Sequence, residues 1–313
     1  MLNCLVRRLL AVLWMLLLVS LLVFLMLRLT PGDTAMALAG ETASPEQIDR
    51  VNQAMGLDRP LPTQYLLWLA HLALGDLGHS TQFNASVTSL VARRLGPSVA
   101  LVVPAGALAL LAALPLGMLA ARRHGGWLDR TLAALSPAAR ALPGLVLAYV
   151  LIWLFALKLG WLPLPGEAQP GAGLGAGLRR LLLPVLALAL PAVAPLVAVT
   201  RQALLQALHA PHIHTARAFG LPERTLLLRH ALGSAALPIA AAVGRGSGWL
   251  LGGLVVVESL FALPGLGQLA VEAVRARDFA AVQGVVFFFA LAHLLVRLLI
   301  ALACGIVDPR RRG

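Results

Sequence analysis

The stretch that decides the fold is His214-Thr215-Ala216-Arg217-Ala218-Phe219-Gly220-Leu221-Pro222-Glu223-Arg224. It forms the centre of a polar, basic island, residues 201–229, that lies between two long apolar runs. Glycine adopts the left-handed backbone conformation at little cost, and the following proline cannot continue a helix. We therefore interpret the island as a short, water-exposed helix that ends at Gly220 and that a membrane protein presents to a partner.

The composition around this island is that of an integral membrane protein. Hydrophobic residues make up 59% of the chain and charged residues only 12%, with a mean hydropathy of +0.86. A soluble domain has about 25% charged residues. The net charge of +12 comes almost entirely from arginine, since Lys158 is the only lysine. These arginines cluster at the ends of apolar runs, which indicates topology determinants rather than a nucleic-acid surface.

Six apolar runs are long enough to cross the roughly 30 Å hydrocarbon core of a membrane. The first is longer than the roughly 7–15 apolar residues of a signal peptide, so we interpret it as a retained helix. The sequence thus predicts an all-α integral membrane protein with six transmembrane helices and both termini cytosolic, on the side that carries more of the arginines. The six predicted spans are Leu9 to Leu27, Val99 to Ala121, Leu132 to Leu159, Leu181 to Val199, Leu237 to Phe261 and Val285 to Ala303.

Between the first two spans lies a large external segment that is rich in acidic residues. Within it, Ser44-Pro45-Glu46 predicts the start of a capped short helix, and Leu66 to Leu74 predicts an amphipathic surface helix. A flexible external loop is predicted for the glycine-rich stretch from Gly171 to Gly177. An external turn is predicted for Pro264-Gly265-Leu266-Gly267. The predicted organisation is an N-terminal helix, residues 1–30; a periplasmic segment, 31–97; and a five-helix core, 98–313, whose cytosolic loop covers 201–236.

Prolines are frequent within the predicted spans and favour kinked helices. They are Pro104, Pro115, Pro143, Pro184, Pro191, Pro195 and Pro238.

The motifs of common catalytic and metal sites are missing from the sequence. No Gly-x-x-x-x-Gly-Lys-Ser/Thr loop occurs, so the chain is not expected to hydrolyse ATP. His209, His212 and His214 cluster in the island, where a solvated surface is favoured over a metal site. Cys4 and Cys304 are expected to stay reduced. We predict a protein that is not an enzyme and has no cofactor, metal or disulfide.

Many further short motifs occur in order along almost the whole chain, and together with the island they resemble one family. They are Pro31-Gly32-Asp33, Gly56-Leu57-Asp58-Arg59-Pro60-Leu61, Gln64-Tyr65, Gly75-Asp76-Leu77-Gly78 with Ser80, Ala156-Leu157-Lys158-Leu159-Gly160-Trp161-Leu162-Pro163, Leu228-Arg229-His230-Ala231-Leu232, Val257-Glu258-Ser259-Leu260-Phe261 with Pro264-Gly265-Leu266-Gly267, Arg277-Asp278-Phe279 with Val282-Gln283-Gly284, and Asp308-Pro309-Arg310. The family is that of the B-type permease subunits of oligopeptide, dipeptide and nickel ABC importers.

The resemblance implies half of the translocation pathway of an ATP-driven importer in the bacterial inner membrane. The implied partners are a C-type permease, two cytosolic ATP-binding subunits and a periplasmic binding protein. The implied cargo is a di- or oligopeptide; nickel or a metal–metallophore complex is the alternative, and an ion-coupled secondary transporter is a weaker one. The implied ATPase-coupling loop contains His214, Thr215, Ala216, Arg217, Ala218, Phe219, Gly220, Leu221, Glu223 and Arg224.

Two features depart from the family pattern. In the loop, Pro211-His212, His214 and Phe219 replace the usual residues, and a lysine is common at the position of Phe219. In or near the spans, Arg140, Arg245, His293 and Arg297 are charged or titratable where the family is usually uncharged, whereas Glu258 matches it. Charges at membrane depth tend to face cavities or partners. Arg140, Arg245 and Glu258 are therefore candidate pathway residues, with contact to the partner subunit as the alternative for the arginines.

Overall fold

The structure is a computed structural model that describes residues 2–29, 44, 46, 58–80, 82–141, 143–166 and 174–307. The described residues are almost entirely helical, with one two-stranded hairpin. In chain order, the elements are α1 (Leu2–Leu29), α2 (Leu61–Ala73), β1 (His79–Ser80), β2 (Ala85–Ser86), α3 (Val87–Arg122), α4 (Trp127–Ala141), α5 (Gly144–Leu151), a π-helical segment π1 (Ile152–Lys158), α6 (Leu174–Leu208), α7 (Pro211–Ala218), α8 (Glu223–Thr225), a second segment π2 (Leu226–Ala231), α9 (Leu232–Leu260), α10 (Leu266–Arg275) and α11 (Phe279–Val307).

Five helices of the described part are long and apolar enough to cross a membrane. They overlap almost entirely with five of the six predicted spans, so the prediction of long apolar helices is confirmed for these. The five are Leu9–Met26, Val87–Arg122, Gly177–Leu208, Glu223–Leu260 and Phe279–Gly305. Gly144–Lys158 is a further, shorter apolar helix.

The predicted span Leu132 to Leu159 is wrong as a single helix. Its first part belongs to α4, and a new helix begins after Pro143, whose backbone is extended at φ −60° and ψ 132°. Proline lacks the N–H that an interior helical residue donates, and it disfavours the helical conformation of the residue before it. Pro143 therefore separates two helices instead of kinking one. Pro184, Pro191, Pro195 and Pro238 do lie inside helices, as predicted.

Two loop predictions also need correction. The predicted flexible loop from Gly171 to Gly177 is partly wrong, because α6 already begins at Leu174. After Pro264 and Gly265 the chain forms the ten-residue helix α10, which the predicted turn did not include. Most of the predicted helix that begins at Ser44, and the C-terminal Asp308-Pro309-Arg310, lie outside the described residues.

The chain divides into two compact units, of which one comprises Leu2–Pro97 and Pro264–Leu294. In this unit the stretch predicted as a helix from Leu66 lies in α2, and α2 contacts α1. The Tyr65 hydroxyl lies 2.8 Å from Ser20 Oγ, and the Tyr65 ring packs edge-on against Phe24 at a centroid distance of 5.4 Å. Trp68 also packs against Phe24. One hydroxyl pair and an aromatic cluster thus hold α2 to α1.

Asp278 organises the rest of this unit. One carboxylate oxygen accepts the N–H of Ala281 at 3.0 Å and caps the start of α11, while the other accepts the hydroxyl of Ser80 and the N–H of Gln82. The hairpin is thereby tied to the start of α11. In the same unit, apolar residues of α3, α10 and α11 form a core: Val87, Val91, Leu266, Leu269, Ala273, Ala281 and Val285. The Arg277-Asp278-Phe279 and Ser80 motifs therefore have a structural role.

The other unit comprises Ser98–Leu263 and the chain from Leu295 onward. Its helices pack closely because their contact residues are small. Gly117 of α3 faces Thr200 of α6 so closely that an added Cβ atom would lie 2.6 Å from the Thr200 Cβ. A core that is rich in alanine lies nearby: Ala121, Ala203, Leu204, Ala207, Ala231, Ala235 and Ile239. This core lies where the predicted coupling loop joins the membrane helices.

Candidate functional site

The short helix of the island is α7, and it begins with Pro211. Proline suits the first helical position, since the N–H it lacks would have no partner there and its φ is already helical. Ile213, the only buried residue of α7, is 0% exposed and anchors the helix to the rest of this unit. His214, Arg217 and Ala218 are exposed. The helix thus has one buried anchor and an otherwise largely accessible surface.

The expected end of this helix at Gly220 is confirmed. Gly220 has φ +82°, and its N–H donates to the carbonyl of Arg217 at 2.9 Å. The N–H of Leu221 donates to the carbonyl of Ala216 at 3.3 Å. These two bonds are those of a Schellman ending, in which the residue with positive φ satisfies the last carbonyls of the helix. Pro222 is extended and leads into α8. The corner is therefore fixed by backbone hydrogen bonds.

A salt bridge spans this corner. Arg217 Nε donates to Glu223 Oε1 at 2.7 Å, and Arg217 Nη2 donates to Oε2 at 3.3 Å. Both residues belong to the loop that the resemblance implies for coupling, and in the structure they pair with each other. Both are substantially exposed, so the pair sets the relative orientation of α7 and α8 more than it adds to stability.

The tip of the loop is apolar and exposed. Phe219 has 85% of its surface accessible, and Leu221 is also exposed. Aromatic side chains are enriched among the residues that contribute most to protein–protein binding. A phenylalanine held at a rigid corner is therefore suited to insertion into a partner surface.

A cluster that sequence reasoning missed lies in the same unit, centred on Asp129 of α4. Its side chain is almost completely buried and accepts hydrogen bonds from Arg201 Nη2 at 2.8 Å and from the Gly125 N–H at 2.9 Å, with a further contact to Arg201 Nε. His124 Nδ1 lies 3.1 Å away. The Arg201 guanidinium holds the pKa of Asp129 well below its usual range, although burial acts in the opposite direction.

This cluster connects the turn after α3 to the last part of α6, just before α7 begins. A sequence feature could have indicated it, because Asp129 is the only acidic residue between Asp76 and Glu167 and lies among arginines. Among the described residues, no group of three histidine, cysteine or acidic side chains is placed to hold a metal ion.

The candidate pathway residues lie in different environments. Arg245 is exposed at the middle of α9. Arg140 belongs to α4, near its C-terminal end. Glu258, near the end of α9, is 0% exposed and accepts a hydrogen bond of 2.6 Å from the Ser98 hydroxyl. The structure thus brings together the loop residues but places Arg245 and Glu258 in different surroundings, one exposed and one buried.

Family models match both parts of the chain. Residues 113–313 match the binding-protein-dependent transport system inner membrane component, and residues 1–102 match the N-terminal region of such membrane components. The chain belongs to this permease family.

Relatives of similar length support the assignment. A probable peptide ABC transporter permease protein of Sinorhizobium fredii is 34% identical and is aligned over 98% of both chains. A putative peptide permease protein of Brucella suis is 34% identical over 99% of both chains. A glutathione transport system permease protein of Pectobacterium atrosepticum is 35% identical over 100% of this chain and 99% of its own.

A solved structure supports the fold. A chain from inward-facing crystal structures of the MetNI methionine ABC transporter superposes with a TM-score of 0.54 at 19% identity, covering 70% of this permease and 96% of that chain. The permease is therefore a multi-pass membrane subunit of a transport system and not an enzyme. ABC importers of this kind combine membrane permeases with ATP-binding subunits. Because the chain belongs to this permease family, we interpret it as a subunit of an importer and not as a secondary transporter that works alone.

Proposed function

We propose that this permease is the B-type subunit of an ATP-driven importer of di- or oligopeptides in the bacterial inner membrane. It would form half of the translocation pathway, with a C-type permease, two cytosolic ATP-binding subunits and a periplasmic binding protein. The substrate class rests on the relatives, whose names refer to peptides and to glutathione, itself a tripeptide. None of these names refers to nickel, so a nickel or metallophore cargo is not favoured.

The proposed topology has six spans, both termini in the cytosol and residues 31–97 in the periplasm, before a core of residues 98–313. The remaining span, third in chain order, is Gly144–Lys158, which even at the α-helical rise of 1.5 Å per residue is at most about 22 Å long and shorter than a typical hydrocarbon core. Aromatic and basic residues at its end support a membrane interface there, since Lys158 Nζ lies 5.1 Å from the centre of the Trp153 ring and Trp161 is exposed.

The coupling role rests on one observation: α7 is a short helix with a buried anchor, a fixed glycine corner and an exposed aromatic tip. Such a helix fits a cleft on an ATP-binding subunit as a rigid body. Closure of the ATP-binding subunits would then displace α7 and the helices joined to it. Ile213 transmits that displacement into the unit, and the Asp129–Arg201 pair keeps the ends of α3, α4 and α6 together while they move.

The proposed pathway includes Arg245, with Arg140 as a second candidate. An exposed arginine halfway along a membrane helix is unfavourable against lipid, so it is expected to face the pathway or the partner permease. A guanidinium in the pathway would attract the carboxylates of a peptide. Glu258 is enclosed within its own unit and bonded to Ser98, which supports an internal contact more than substrate binding.

Gly220→Val tests the coupling role. A left-handed backbone costs a non-glycine residue roughly 1–2 kcal/mol, and a β-branched side chain at such a position is a clear outlier. The matched control is Gly233→Val, because Gly233 lies in α9 without a positive φ and has open space around its Cα. Uptake of a labelled tripeptide and ATP hydrolysis are measured in proteoliposomes that contain the complete transporter and its binding protein.

We expect Gly220→Val to lower the peptide transported per ATP hydrolysed by at least about fivefold, the effect of roughly 1 kcal/mol, while Gly233→Val transports normally. Equal coupling in the two variants, with both correctly inserted, would contradict the role of the corner. Uptake driven by a proton gradient without ATP-binding subunits would contradict the importer itself.

A further inference from the structure

A pocket of about 300 Å³ lies between the coupling loop and the ends of the membrane helices. Leu205, Leu208 and Leu227 line its apolar part. Its polar part is mainly basic and is contributed by the turn after α3, the end of α6, α7 and α8: Arg122, His124, His209, His214, Arg217, Glu223 and Arg224. Side chains that are distant in sequence thus converge on one cavity.

The charges in the pocket do not balance. The only carboxylate of its lining is Glu223, and Arg217 binds both oxygens of this carboxylate. Arg122 and Arg224 make no salt bridge within the part of the chain that the structure describes, although Arg122 is close enough for its charge to act on the Glu223 carboxylate. Two guanidinium groups therefore remain to attract an anion, and the imidazole groups of His124, His209 and His214 provide further nitrogen atoms.

The dimensions of the pocket select the anion. A volume of about 300 Å³ is at the lower end of the range for small-molecule sites, and a single carboxylate side chain would leave most of it empty. Planar guanidinium groups bind phosphate through pairs of hydrogen bonds. We propose that this pocket binds a phosphate group, either that of an anionic phospholipid head group or that of a soluble phosphate compound.

The apolar part of the pocket favours the lipid. Under the proposed topology, on which this step rests, the pocket lies at the cytosolic surface of the membrane, where basic pockets between helix ends bind anionic head groups. Leu205 and Leu208 would contact the glycerol and the first methylene groups, while Arg122 and Arg224 would bind the phosphate. A bound lipid would then contact the coupling loop directly.

The test uses the complete transporter, purified in detergent with its ATP-binding subunits. Bound dioleoylphosphatidylglycerol is counted by native mass spectrometry during a titration, with dioleoylphosphatidylcholine as the zwitterionic reference and inorganic phosphate as a soluble competitor. The variant is Arg122→Gln, and the matched control is Arg123→Gln, since Arg123 is its exposed neighbour and does not line the pocket. Neither residue belongs to the coupling loop.

We expect wild type and Arg123→Gln to retain phosphatidylglycerol, and Arg122→Gln to bind it about tenfold or more weakly, as expected for the loss of a charged hydrogen bond. Displacement by millimolar inorganic phosphate would assign the site to a soluble phosphate, and no displacement would assign it to the lipid.

Equal retention of both lipids, or equal binding by the two variants, would overturn the proposal. The proposal would also be overturned if Arg122→Gln alone released the ATP-binding subunits while the amount of bound phosphatidylglycerol stayed the same. The pocket would then receive an acidic side chain of that subunit. Tripeptide uptake by the same variants, reconstituted into proteoliposomes with the binding protein, reports separately on the proposed function.

Discussion

Replacing Asp129 by asparagine removes one charge from an ion pair whose acidic partner is almost completely buried. The change keeps the shape of the side chain but loses the charged acceptor for two Arg201 nitrogens. Breaking a fully buried pair costs about 3–5 kcal/mol. Because 26% of the Arg201 side chain remains exposed, water partly compensates, and we expect a loss of about 2–3 kcal/mol.

Thermal unfolding of the purified complex, followed by tryptophan fluorescence, measures this loss. By the scaling known for soluble domains, Asp129→Asn should lower the melting temperature by on the order of 5 °C. Asp58→Asn is the matched control, since Asp58 is exposed and should leave the melting temperature unchanged. Because α6 then becomes less firmly joined to the turn after α3, Asp129→Asn should also lower the coupling of ATP hydrolysis to uptake.

The pH dependence has a definite sign. The pKa of Asp129 is lowered in the folded chain, so the ion pair contributes stability that is fully present above the usual carboxyl pKa of about 3.9 and is lost as the pH falls through the folded pKa. The difference in melting temperature between wild type and Asp129→Asn should therefore be constant from about pH 8 to about pH 5 and decrease only in stronger acid.

A double-mutant cycle with Arg201→Gln tests whether the two residues stabilise the fold as a pair. Purely additive losses of stability from Asp129→Asn and Arg201→Gln would refute this reasoning.

Two further substitutions test the packing of the helices. Gly117→Ala should destabilise the complex by about 1–3 kcal/mol, because the added methyl group collides with Thr200. Gly106→Ala on the same helix is the control and should be tolerated, since the nearest atom is 3.6 Å from the added Cβ. A lower melting temperature for Gly117→Ala than for Gly106→Ala is the expected result. Asp278→Ala should increase hydrogen exchange at residues 79–86 and in the first turn of α11 by about fivefold or more, the effect of a lost cap of about 1 kcal/mol, and unchanged exchange would contradict the role of Asp278.

The long apolar helices and the end of α7 could be predicted because local chemistry determines them. Length and hydropathy suffice for the apolar span from Val99 to Ala121, although the helix already begins at Val87. A glycine followed closely by a proline suffices for the corner at Gly220. Neither feature depends on a residue distant in sequence. The same rules misplaced the helix around Pro143, since a proline either kinks a membrane helix or ends it, and neighbouring packing decides which.

The contacts that hold the site together could not be predicted in this way. Asp129 and Arg201 are 72 positions apart, and Ser80 and Asp278 are 198 positions apart. Their pairing depends on how the helices pack. The sequence places Arg217, Glu223 and Arg224 in one loop, but it could not show that Arg217 binds Glu223 or that Arg122 and Arg224 face a pocket.

Photo-cross-linking from the tip of the coupling loop tests the central claim most directly. A photoreactive phenylalanine analogue replaces Phe219 in the complete transporter, and a second sample carries it at Trp161, which is similarly exposed but lies near the proposed external end of α5 and π1. The account predicts that position 219 forms a product with an ATP-binding subunit and that position 161 does not. A complex that transports peptide but gives no such product from position 219 would contradict the account.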